Sequence, residues 1–242
     1  MAAFGHEADL PARPLCGRYR VISGHRPLTW AQIHAMYSLM SPASNLQPRF
    51  NICPTTTVDA VVDHQLVPMR WGLIPAWWGK PLKEFKLATF NAQAETVAEK
   101  PMFRSAFKNS RCLIPASGYY EWQTTPEGKQ PFYFTRRDGQ VMTIAGLWSG
   151  WVENASGETV KSCTMLITAP NKFVADVHDL MPVILEAKDF ERWEHGNAND
   201  AAALMKPAAD GVLQMWPVSK RVNSSRADGD DVTLIDKVEL VT

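Results

Sequence analysis

The sequence runs to 242 residues (27.1 kDa) and is 45% apolar, which is enough to bury a sizeable core and excludes a chain whose main state is disorder. Basic (Lys, Arg) and acidic (Asp, Glu) side chains both number 25, so no net charge draws the whole molecule to nucleic acid or to an acidic membrane. The halves differ: residues 1–130 hold 14 basic and 9 acidic side chains and residues 131–242 hold 11 and 16, so a polyanion would find its basic face on the first half.

Residues 1–14 are polar, contain proline and lack periodicity, the pattern of a leader outside the fold. The start has neither the basic beginning nor the apolar stretch of a signal peptide, and no run of 18 apolar residues follows, so a cytoplasmic protein without a membrane partner is expected. CGRYRVI (16–22) reads as a first strand. TWAQIHAMYSLM (29–40) spaces Trp30, Ile33, Met36, Tyr37 and Met40 as a helix does, behind a Thr29 cap. Extended runs follow at 49–53, 57–63, 65–75, 112–123, 130–137, 141–150 and 160–170, several rich in β-branched and aromatic residues and punctuated by Gly, Pro or polar turns. DGQ at 138–140 reads as a hairpin turn between two of them. Residues 186–194 and 199–205 look helical, and 222–231 reads as a polar loop.

No period of 20–50 residues recurs, so solenoids and propellers lose support. Strands dominate and helices come irregularly, which points to an α+β fold: a single domain around a curved mixed, largely antiparallel sheet or open barrel with peripheral helices. The expected organisation is a leader at 1–15, retained or lost in the active form, a domain at 16–222, and a tail at 223–242 that packs on the domain or extends it. The competing division is two lobes split near the EGKQ turn at 127–130.

Dinucleotide, P-loop, zincin and α/β-hydrolase motifs are all missing. The histidines at 6, 25, 34, 64, 178 and 195 are not paired at metal-ligand spacing, so neither a metal nor a cofactor is expected. The cysteines at 16, 53, 112 and 163 are too few and too dispersed for a disulfide framework and read as reduced thiols. Five side chains nevertheless stand out. His178 follows an ITAPN turn and precedes a proline-fixed strand start, a loop position that often carries function. Trp77 and Trp78 are adjacent and cannot face the same side of regular structure, so one is exposed as an anchor or as a stacking platform for bases, or both edge the core. Asn91 and Glu121 sit in FNAQAE and GYYEW. An inward Glu121 must be hydrogen bonded or protonated, and a raised pKa would make it a proton shuttle.

Taken together, CGRY (16–19), RFNICP (49–54), RWGLIPAWW (70–78), FNAQAET (90–96), RCLIPASGYYEW (111–122) and HDLMP (178–182) resemble the SOS-response-associated peptidase family, the abasic-site processing proteins, over Cys16 to about Pro217. The resemblance implies that Cys16, as the first residue of the mature protein, forms a thiazolidine with the ring-opened aldehyde of an abasic site in single-stranded DNA. It further implies that Arg18 binds DNA, that Asn91 positions the substrate, that Glu121 and His178 act as acid and base, and that Trp77 and Trp78 help unstack the strand. The partner would be single-stranded DNA containing abasic sites, the protein a monomer, and its location the cytoplasm, at the nucleoid when bound to damage.

The chemistry stands on its own terms. Only an N-terminal cysteine places an amine and a thiol on neighbouring carbons, and an α-amino group (reference pKa ~7.7–8) is more nucleophilic near neutrality than a lysine (~10.4). Two positions depart from the family pattern: Gln93 and Leu180 stand where the family has arginines that grip the DNA backbone, which should weaken affinity and its salt dependence. A third departure is the leader, because an internal Cys16 carries an amide where the chemistry needs an amine. Two alternatives therefore stand beside covalent capture: a member that binds DNA without a covalent bond, and a cysteine peptidase using Cys16, Glu121 and His178 on general proteins.

Overall fold

The computed structural model describes residues 19–20, 30–42, 46, 48–224 and 229–240. Among them the strands are β1 (Tyr19–Arg20), β2 (Thr57–Val62), β3 (Gln65–Trp71), β4 (Asn91–Gln93), β5 (Arg111–Ala116), β6 (Gly118–Thr125), β7 (Gly128–Arg136), β8 (Met142–Val152), β9 (Thr159–Thr168), β10 (Met181–Pro182), β11 (Ile184–Leu185) and β12 (Leu213–Pro217). The helices are α1 (Trp30–Tyr37), α2 (Arg104–Asn109), α3 (Lys172–Ala175), α4 (Phe190–His195) and α5 (Ala198–Leu204).

Five strands close on themselves. A tight turn at Asp63–His64, both at positive φ (47° and 59°), folds β3 back on β2. Strand β5 joins β2 at Val61↔Leu113, β8 pairs with β5 from Arg111↔Leu147 to Ala116↔Met142, and β9 pairs with β8 from Gly146↔Met165 to Val152↔Thr159. The ring shuts where β9 runs parallel to β3 at Arg70↔Ser162 and Trp71↔Cys163. Every residue of β5 is buried, as are the last seven of β9, because barrel contents cover one face and loops or helices the other; this is why both read as continuous apolar runs. The curved mixed sheet read from the sequence is therefore a closed five-stranded barrel with added strands and few helices.

A second sheet, β1-β6-β7-β12, leans on the barrel. The run at 112–123, which reads as one strand, is two: the chain changes sheets at Ser117. Gly118 permits the change, since a Cβ there would collide with the Phe134 carbonyl oxygen and the Tyr133 ring. The DGQ turn is another correction. Strand β7 belongs to the second sheet and β8 to the barrel, so Asp138–Gln140 links two sheets and forms no hairpin. The hairpin lies instead at EGKQ, where β6 and β7 pair continuously from Tyr119↔Phe134 to Thr125↔Gly128, so that turn divides no lobes. Of RFNIC (49–53), only Ile52 makes a β-bridge.

The faces of β6 divide the molecule. Tyr119 packs into the main core with barrel residues such as Leu113 and Leu166, while Tyr120 packs into a smaller core with Phe50, Val222, Leu234 and Ile235. Residues near the C-terminus thus cover the far side of the second sheet, and Val218 bridges Lys237.

Candidate functional site

Alternation along β6 sends Tyr119, Glu121 and Gln123 to the barrel side. Tyr119 stacks on Phe134 with ring centres 5.0 Å apart, which fixes the local pleat. Glu121 follows at 7% exposure, and its Oε2 has no hydrogen-bond partner among the described residues. Burial pushes the carboxyl pKa well above its ordinary value; the Lys129 charge and the Trp122 backbone N–H pull it down without overcoming burial. A buried carboxyl so biased toward its protonated form has a proton to donate.

What faces it comes from the barrel. After β9 the Asn171 side chain caps α3 by accepting from Val174 N–H at 3.0 Å, and the His178 N–H closes the turn on the Val174 carbonyl at 3.0 Å. Phe173 meets Phe134 edge-on at 6.3 Å, which seats this turn against the second sheet. The His178 Nε2 then lies 3.7 Å from Glu121 Oε2. Leu180 N–H donates to Nδ1 at 3.1 Å and the Leu180 carbonyl oxygen lies 3.3 Å from the same nitrogen, so residue 180 holds the ring by Nδ1 and leaves Nε2 facing the carboxyl. Glu121 and His178, 57 positions apart in the chain, are thereby brought together across the junction of the two sheets.

Asn91 opens β4, which lies parallel to β9 with Asn91↔Met165 and Gln93↔Ile167. On its other side β9 pairs Ile167 with Pro182, four residues beyond His178, so Asn91 and His178 belong to the same end of β9. The Asn91 Oδ1 is buried and has no hydrogen-bond partner among the described residues. Nearby, Glu95 accepts from the Thr168 hydroxyl at 3.0 Å. The two positions that depart from the family differ in setting: Gln93 is exposed, whereas Leu180 is half-buried against the main core.

The paired tryptophans divide as their adjacency requires. Trp78 packs edge-on against Phe85 at 5.1 Å and its carbonyl accepts from Trp151 Nε1, while Trp77 is 58% exposed and touches the Pro101 carbonyl at 3.4 Å. Exposed Lys80, Lys83, Lys86 and Lys100 come from the segments around it. Cys16 and Arg18 lie outside the described residues. Of the other cysteines, Cys112 and Cys163 are buried in the main core, where burial raises both thiols, Cys163 to about 12, so neither supplies a thiolate near neutrality. No group of His, Cys, Asp or Glu among the described residues could hold a metal ion. Gln123, which reaches the same junction, is not marked by any motif; its strand alternation with Glu121 is the one signal that could have found it.

The profile of the SOS response associated peptidase (SRAP) family matches residues 15–225. The abasic site processing protein YoqW of Bacillus subtilis (strain 168) is 29% identical over 228 residues, covering 90% of this chain and 98% of its own. YoaM, an abasic site processing protein of the same organism, is 32% identical over 76% of this chain and 84% of its own. Among solved structures, a Bacteroides thetaiotaomicron protein superposes with a TM-score of 0.82 at 21% identity, covering 93% of this chain and 100% of that one, a likeness of fold. The chain belongs to the SOS response associated peptidase family.

Proposed function

We propose that this protein captures abasic sites in single-stranded DNA covalently, through the amine and thiol of Cys16 as N-terminal residue. The observation that carries the reading is the Glu121–His178 pair set beside the ladder into which the chain from Cys16 runs. Strand β1 pairs Tyr19 with Tyr119, so the N-terminal end of β1 is the end nearer Glu121. Tyr19 is three positions after Cys16, a covalent reach of at most ~11 Å. The substrate is suggested by the names of the relatives YoqW and YoaM.

In this reading His178 assists opening of the deoxyribose ring to its aldehyde. The Cys16 amine adds to the aldehyde carbon, and the carbinolamine loses water to give an imine as Glu121 delivers a proton to the departing hydroxyl. The thiol then adds to the same carbon, its proton passing by way of Glu121 to the nitrogen. The resulting five-membered ring removes both the aldehyde and the imine that would promote strand cleavage. Asn91 orients the sugar, Arg18 holds a phosphate, and the exposed Trp77 ring, with Trp78 fixed behind it, offers the stacking surface, so the protein shields the lesion as a monomer.

Residues 1–15 must be absent for the amine to exist. Two routes lead there: translation starting at the Leu15 codon followed by methionine removal, or self-cleavage. In the latter the Cys16 thiol attacks the Leu15 carbonyl carbon, the amide nitrogen takes a proton and leaves as the free amine, and water releases the acyl chain. Intact mass of the protein expressed from its own gene context distinguishes these from a retained leader. The function is tested by mixing protein beginning at Cys16 with an abasic single-stranded oligonucleotide. An adduct that survives denaturation and heat, and whose heat resistance is lost in Cys16→Ala, is expected; salt-sensitive binding with no adduct would overturn covalent capture in favour of noncovalent binding.

A further inference from the structure

We infer that Gln123 is a positioning residue that sets the gap between Glu121 and His178. The inference rests on the acid–base assignment above and adds a residue to it. Glu121 and Gln123 project from the same face of β6, about 7 Å apart along the strand. Opposite them, Asp176 and His178 are likewise two residues apart at the end of α3. The Gln123 Nε2 donates to the Asp176 carbonyl at 2.8 Å, and His178 Nε2 faces Glu121 Oε2 at 3.7 Å, so strand and loop meet at two neighbouring rungs.

Only one rung is a bond. At 3.7 Å the imidazole and carboxyl are beyond hydrogen-bond distance and do not clamp each other. Their separation is inherited from the contacts that dock the α3 turn on the second sheet. Phe173 on Phe134 is an apolar contact that tolerates sliding, whereas the amide–carbonyl bond is directional and lies one rung from the pair. Gln123 therefore holds His178 close enough to share a proton with Glu121 through a bound substrate hydroxyl, yet far enough that the two do not lock together. Loss of the donor frees the loop end, and a displacement of the order of 1 Å at a catalytic pair costs up to about 100-fold in rate.

The test compares wild type beginning at Cys16 with Gln123→Met in the same form, which keeps the volume without the donor, and Gln123→Lys, which restores a donor of similar reach. The first readout is the change in the His178 ring resonances produced by adding Glu121→Gln to each background. It is expected to be large in wild type, lost in Q123M and regained in Q123K. The second is the rate of adduct formation with abasic single-stranded DNA, expected to be about 10- to 100-fold slower in Q123M and recovered in Q123K, with unmodified single-stranded DNA bound equally. A Q123M protein that keeps both the full resonance change and the wild-type rate would overturn the inference. If wild type itself forms no adduct, the covalent reading fails, while the resonance comparison still decides the tether.

Discussion

Glu121 owes its properties to a strand position that directs a carboxyl into the junction of two sheets. Its neighbours Tyr120 and Trp122 point to the opposite core, so no rotation of the strand frees it. Replacement by glutamine keeps shape and removes the titrating proton. Glu121→Gln is therefore expected to slow adduct formation about 100- to 10,000-fold, the range of general acid–base contributions, and to leave binding of single-stranded DNA unchanged. Quantifying adduct on denaturing gels against time checks this, and equal rates would remove Glu121 from the chemistry.

Among elements, the β2–β3 turn shows most directly how helices stabilise the barrel. Two non-glycine residues at positive φ are strained, and α4 holds them from outside: Asp63 N–H donates to Glu194 Oε1 at 3.3 Å, and His195 Nε2 lies 3.6 Å from the Asp63 carboxylate. Burial raises the Glu194 carboxyl to about 7, assisted by the neighbouring charges of Asp63 and Glu191 and opposed by the Asp63 N–H and by His64. A carboxyl whose folded pKa exceeds its unfolded value stabilises the fold fully below the unfolded value, near 4.5, and that stability is lost as pH rises through 7. Glu194→Gln is thus expected to reduce the fall in urea midpoint between pH 5 and pH 8 relative to wild type. The change should be about 1–2 kcal/mol after allowance for solvent that still reaches the group. An unchanged fall would show that Glu194 ionises freely. Arg111 secures the same helix without a carboxylate, its guanidinium donating to the carbonyls of Trp193, Glu194 and Gly196 at the end of α4 and of Phe107 in α2.

At the scale of the whole molecule, the proposed chemistry and the proposed binding surface fall on different parts of the chain. The Glu121–His178 pair straddles the two sheets, whereas Trp77, Lys80, Lys83 and Lys86 lie on the loop after β3, above a small core of Ile74, Phe85 and Trp151. Binding to single-stranded DNA should accordingly separate into two components. Trp77→Ala is expected to weaken it by about 1–3 kcal/mol with little change in salt slope, because stacking releases no counterion. Arg18→Ala is expected to lower the slope by about 0.7, one phosphate's share. Equal slopes for wild type and R18A would take Arg18 off the phosphate.

The sequence by itself determined the parts that depend on neighbours in the chain: the strand character within 57–63, 65–75 and 160–170, the helix behind Thr29, the opposed directions of the adjacent Trp77 and Trp78, and the motifs that mark the family. The tertiary structure alone decided which strands share a sheet. Barrel closure rests on β3 meeting β9 about 90 residues later, and ladder hydrogen bonds are made by backbone groups identical at every residue, so nothing local announces the partner. A proline-fixed strand start after His178 was legible, but for the same reason its division into two short strands, β10 on β9 and β11 on β8, was not. Two residues each, they exist because β8 and β9 diverge and expose unpaired backbone groups, which Val183 fills by donating to Leu166 and accepting from Ala145, both at 2.9 Å. That insertion brings the chain from His178 back against the barrel, and so the proximity of His178 to Glu121 is a consequence of backbone satisfaction at a distance that only the folded chain expresses.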